Sequence, residues 1–204
     1  MTALCYNKGI KYILNKRNIN MHKYFIGWII LIAVSFIGAG TLMAVQGFQA
    51  QKDVKANVAA EKIALGVAEK ADGTRDEAVA EFVPAVYQGK PLAEAKLPDA
   101  LLWQREIIRE HTLTSTKGLT FAEMPRTIPK LDEAGNQIIG EDGKPVMMLN
   151  AARDIWTQST TLQSALLQGY MAWKLSELVM GLGAAFIFMG LAALMIGMPL
   201  TRRK

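Results

Sequence analysis

Two stretches of this chain, residues 24–45 and 178–200, run for 22 and 23 residues without a charged side chain. At 1.5 Å per residue, about 20 apolar residues cross the hydrocarbon core of a bilayer, and a helix there satisfies its own backbone hydrogen bonds. Both stretches are predicted to be transmembrane helices, at 23–46 and 176–198. A cleavable leader has an apolar core of about 7–15 residues, so the first stretch is expected to stay on the chain.

The 129 residues between them, 47–175, are patterned differently. QAQKDVKANVAAEKIALGVAEKADG is rich in helix-forming Ala, Lys and Glu, and Val54, Val58, Ile63 and Val67 keep an approximately helical spacing. The first helix is expected to continue until Asp72-Gly73. Residues 74–98, punctuated by Pro84, Gly89, Pro91 and Pro98, read as mostly loop. Pro98-Asp99 opens a helix with Leu101, Leu102 and Ile108 on its apolar face, Arg105, Glu106, Arg109 and Glu110 on its solvated face, and Gly118 as terminator. Asp142-Gly143, between Ile138-Ile139 and Val146-Met147-Met148, predicts a small hairpin that Pro145 weakens. From Asn150, the positions Ile155, Leu162, Leu166, Tyr170 and Trp173 predict one long helix that enters the membrane and ends before Pro199. The predicted fold is a mainly α membrane protein, with two transmembrane helices extended beyond the bilayer and a small, mostly helical extracytoplasmic domain between them.

Charge orients this picture. The net charge is +5, yet region 47–175 holds 15 basic and 17 acidic residues. The excess sits at the ends, in Lys8, Lys11, Lys16, Arg17, Lys23, Arg202, Arg203 and Lys204. That is the positive-inside pattern, not a basic stripe for nucleic acid. It predicts an inner-membrane protein with a cytoplasmic segment 1–22, a cytoplasmic tail 199–204 and an extracytoplasmic loop. Lys23, Tyr24, Trp28, Tyr170, Trp173, Arg202 and Arg203 are the expected interfacial anchors. Met1 and Met21 both remain open as the start. The single cysteine, Cys5, excludes an intrachain disulfide.

Small residues recur four apart within the apolar stretches: Ser35/Ala39 and Gly40/Ala44 in the first, Gly181/Ala185 and Ala193/Gly197 in the second. This spacing lets helix backbones approach closely. Two readings fit it: the helices pack on each other, or one face docks another subunit.

The segments 100–126 and 150–191 carry REHTLTSTKGLTFAEMPR (residues 109–126), AARDIWTQSTTLQSALL and MGLGAAFIFMG. In these the chain resembles a bacterial membrane-protein family with two terminal membrane helices around an extracytoplasmic region. It departs from that family by an insertion around residues 132–144. The resemblance implies the two-helix architecture. Many members bear the label "aromatic ring-opening dioxygenase", which implies a non-haem iron site of two histidines and a carboxylate. The only histidines are His22 and His111, which the expected topology puts on opposite sides of the bilayer. The activity is therefore not carried over.

No nucleophile elbow, phosphate loop or dinucleotide fingerprint is present. Neither apolar stretch carries a histidine for haem ligation or an acid or base for ion transport. No catalytic, cofactor-binding or metal-binding residue is assigned, and Thr112, Thr114, Ser115 and Thr116 read as a cap or turn. The expected function is a non-catalytic accessory subunit of a larger integral-membrane complex, respiratory or photosynthetic, with the bilayer and other membrane subunits as partners. The alternative is a membrane-anchored binding or sensing protein, alone or as a homo-oligomer, with a concave pocket within residues 74–148.

Overall fold

A computed structural model describes residues 24–197 with their side chains. The protein is mainly helical. Among the described residues there are four α-helices: α1 (Thr2–Ala60), α2 (Glu77–Phe82), α3 (Asp99–Ser115) and α4 (Ala151–Arg202). Short strands β1 (Thr127–Pro129) and β2 (Met147–Leu149) pair antiparallel, Ile128 opposite Met148. Within the described residues, α1 runs 37 residues and α4 runs 47, each with a span long and apolar enough to cross a membrane. At 1.5 Å per residue both exceed the roughly 30 Å hydrocarbon core.

The chain divides into two compact units, residues 1–50 with 175–204, and residues 51–174. In the first, α1 and α4 pack antiparallel. Their buried positions recur every seven residues: Ala33, Gly40 and Gly47 on α1, and Ser176, Gly183, Gly190 and Gly197 on α4. A seven-residue repeat keeps one seam of each helix on its partner. Phe36 and Phe186 meet edge-on beside it, ring centroids 5.4 Å apart.

The second unit has its own core, in which Leu65, Val79, Leu92 and Leu101 are fully buried. One expectation about its elements is corrected. Helix α1 stops at Ala60, short of Asp72-Gly73, because the chain turns at Lys62 (φ 53°) to bury Leu65. There the Leu65 amide donates to the Lys90 carbonyl at 2.9 Å, and the Leu92 amide to the Ile63 carbonyl at 2.8 Å. Tertiary burial overrides the helix propensity of the Ala-Lys-Glu run. Residues 74–98 combine irregular chain with α2, which the Asp76 side chain caps, and single 3₁₀ turns at Ala85–Tyr87 and Leu92–Glu94. In the first unit, α4 runs past Pro199 to Arg202, beyond the end expected for it.

Helix α3 ends where expected: Gly118 takes φ +79°, and its amide donates to the Leu113 carbonyl at 2.7 Å. The Asp142-Gly143 hairpin forms as an isolated bridge between Ile139 and Pro145, Gly143 supplying φ +73° at the turn. It is half of a longer ribbon. A second turn at residues 132–136, closed by Asp132 Oδ1 accepting from the Asn136 amide at 2.8 Å, brings Leu131 opposite Gln137.

Candidate functional site

The helix seam is closed by glycines. A Cβ at Gly40 would lie 2.5 Å from the Gly183 carbonyl oxygen, and one at Gly183 would lie 2.7 Å from that of Gly40. At Gly190 it would meet Ile37 Cγ1 at 2.6 Å, and at Gly47 it would meet Met180 Cγ at 2.5 Å. Backbone therefore lies on backbone over three to four turns. Of the eight small residues singled out by four-residue spacing, Gly40 and Gly197 are buried in this seam, with Ala44 and Ala193 half-buried beside it. Ser35, Ala39, Gly181 and Ala185 are exposed on other faces, and a Cβ at Gly181 would have nothing within 4 Å. Gly47, Gly183 and Gly190 went unnoticed because the spacing that places them is seven.

Among the expected anchors, Tyr24 and Trp28 are 74% and 64% exposed. Tyr170 and Trp173 instead pack half-buried against the core of the second unit. The side chains of Lys23, Arg202 and Arg203 lie outside the described residues, as do those of Cys5 and His22.

In the second unit, the hydroxyl-rich patch is structural. Thr112 Oγ1 lies 2.6 Å from both the Ile108 carbonyl and Ser159 Oγ of α4, and Gln163 Nε2 donates to that Ser159 oxygen at 2.9 Å. Ser115 and Thr116 donate to carbonyls one turn back. The segment after α3 is held to α4 by captured carbonyls. Trp156 Nε1 donates to Leu119 O at 2.7 Å, Arg153 Nη1 to Met124 O at 2.6 Å, and Asn150 Nδ2 to Pro125 O at 3.0 Å. The Arg153 guanidinium also stacks 3.8 Å above the Phe121 ring. Thus segments 109–126 and 150–167 hold each other in place.

His111, the one histidine with a described side chain, faces Asp76; among the described residues no group of three or more His, Cys, Asp or Glu could hold a metal ion. Burial opposes the charge on Asp76, but hydrogen bonds from His111 and the Val79 amide, with Lys70 nearby, hold its carboxyl below the ordinary value.

The two larger of the cavities described in this unit differ in their walls. One, of about 640 Å³, runs along α2 between Val67 and Gln88. The other, of about 700 Å³, lies between residues 54–63, α3 and α4, and its walls include Val58, Leu101, Ile108 and Leu166. Neither fits wholly within residues 74–148. On α3, Gln104 lines the second cavity, and its buried Oε1 has no hydrogen-bond partner.

The ribbon of residues 127–149 exposes its apolar side chains. Leu149 is 68% exposed, Ile139 55%, Leu131 53% and Met147 51%. Compared with family models, curated proteins and solved structures, the chain matches none.

Proposed function

We propose that the protein is a membrane-anchored accessory subunit that docks on other integral-membrane subunits. The observation that carries this reading is the ribbon. A two-stranded ribbon is marginal alone in water, and this one turns Leu131, Ile139, Met147 and Leu149 outward with its strand edges unpaired. Apolar patches and open edges of that kind are the surfaces that partners cover. The membrane helices support the same reading. The intrachain seam uses Gly40, Gly47, Gly183 and Gly190, which leaves Ser35, Ala39, Gly181 and Ala185 exposed for a neighbouring helix. The family resemblance belongs to this proposal and adds no activity to it.

The proposal includes the topology: inner membrane, both termini cytoplasmic, residues 47–175 outside. Single cysteines from Lys90→Cys or Lys204→Cys, in a Cys5→Ala background, test it with an impermeant reagent in intact cells. Labelling at 90 alone is expected, and labelling at 204 alone overturns the topology. Mild-detergent extraction of the native membrane, native electrophoresis and mass spectrometry test the docking. Co-migration with other membrane subunits at fixed stoichiometry is expected. Migration alone overturns the subunit reading and favours a stand-alone binding protein, for which the second cavity is the specific support.

A further inference from the structure

The second cavity is recessed by small residues. Ala165, Gly169 and Ala172, each about one turn from the next on α4, line it, and a Cβ at Gly169 would come only to 3.4 Å from Leu101 Cδ1. The remaining wall is chiefly aliphatic, which suits a predominantly hydrophobic ligand, and its volume is that of a small-molecule site. One polar group is left unsatisfied. A buried carbonyl without a partner is unfavourable, and Gln104 Oε1 is in that state. Gln104 is one of the residues that line the cavity, and its terminal amide torsion is soft. A hydroxyl both donates and accepts, so it matches either end of that amide. The other polar lining groups are Asn57, Gln168 and Glu61, and the Glu61 carboxylate opposes an anionic head group.

We propose that this cavity binds a neutral, long-chain alcohol, its apolar body against Leu101, Ile108 and Leu166 and its hydroxyl on the Gln104 amide. The lining segments 54–63 and 162–172 adjoin the apolar spans in sequence, so a membrane-dissolved ligand fits the setting. The inference rests on the cavity and not on the ribbon, and a failure of either leaves the other standing.

The test uses the full chain in lipid nanodiscs with a photoreactive diazirine analogue of tetradecanol, and maps the labelled peptides by mass spectrometry. Labelling is expected on peptides that contain residues 101–108 or 162–172, with displacement by tetradecanol at about a tenth of the concentration needed with tetradecanoic acid at neutral pH. Ala165→Phe, which fills the recess, is expected to abolish that labelling. Gln104→Leu keeps the volume and removes the amide. It is expected to bring the two competitors to equal potency, with a thermal midpoint no lower than that of the parent. Labelling confined to residues 24–50 and 175–197 would mean partition into lipid only and would overturn the site. Equal competition by the acid in the parent chain would overturn the hydroxyl chemistry. Should Ala165→Phe fail to fold, the competitor ratio in Gln104→Leu decides alone.

Discussion

Asp76 and His111, 35 residues apart, tie α2 to α3: His111 Nε2 lies 3.1 Å and 3.0 Å from the two carboxylate oxygens of Asp76. The same carboxylate caps α2, accepting from the Val79 amide at 3.3 Å. Its pKa is held down despite burial. Asp76 therefore adds stability that is present above the unfolded carboxylate pKa of about 3.9 and is lost as pH falls through the lower folded value. Asp76→Ala removes cap and partner together and is expected to cost about 1–2 kcal/mol. Asp76→Asn keeps a capping oxygen and is expected to flatten the acid limb of the stability curve. Thermal midpoints against pH check this; parallel acid limbs in the parent and Asp76→Asn would contradict it.

The glycine seam predicts a sharp positional contrast. Gly183→Leu and Gly40→Leu force side chains into backbone and are expected to destabilise the helix pair by at least the roughly 1–3 kcal/mol of ordinary overpacking. Gly181→Leu, two residues from Gly183, points into open space and is expected to be near neutral. Unfolding of the three variants in mixed micelles distinguishes them, and similar losses in all three would refute the seam.

Thr112 and Ser159 are both buried, each 5% exposed, and their hydroxyl oxygens lie 2.6 Å apart.

Thr112→Val takes the Thr112 oxygen from the Ser159 hydroxyl, leaves it the Gln163 amide, and is expected to cost about 1–3 kcal/mol. Chemical denaturation reads the loss, and an unchanged midpoint would mean that the contact between α3 and α4 rests on packing alone.

Arg153→Lys keeps the charge but loses the planar group that stacks on Phe121 and reaches two carbonyls, Phe121 O and Met124 O. The 117–126 segment is expected to loosen, with faster tryptic cleavage after Lys117 and Arg126 while the rest of the chain stays protected.

On the ribbon, Leu149→Asp is expected to leave folding within about 0.5 kcal/mol, as surface substitutions usually do, and to abolish co-migration with partner subunits. Retained co-migration would remove the ribbon from the docking surface.

The two apolar helices, the end of α3 at Gly118 and the turn at Asp142-Gly143 were legible in the sequence because each depends on local chemistry. The α4 stripe was only half legible. Ile155 and Leu162 carry its apolar pattern yet are exposed, while Trp156, Ser159 and Gln163 face inward. Their polar atoms are satisfied by Leu119, Thr112 and each other, partners distant in sequence that hydrophobic periodicity does not register. The end of α1 was hidden for the same reason: Leu65 leaves the helix to fill a core built by Val79, Leu92 and Leu101. The second cavity could not be read at all, since its wall comes from three separate parts of the chain.

Gly40 and Gly183 stand near opposite ends of the chain, so the surface that α1 needs is synthesised last. If the helices insert as proposed, the first waits in the bilayer, its glycine stripe bare, while the whole outer unit is made and exported. The stripe is then an advertisement to any small-residue helix nearby, and the arrival of α4 withdraws it. Mispairing during synthesis, more than instability of the finished protein, is the hazard that a seam of this kind creates.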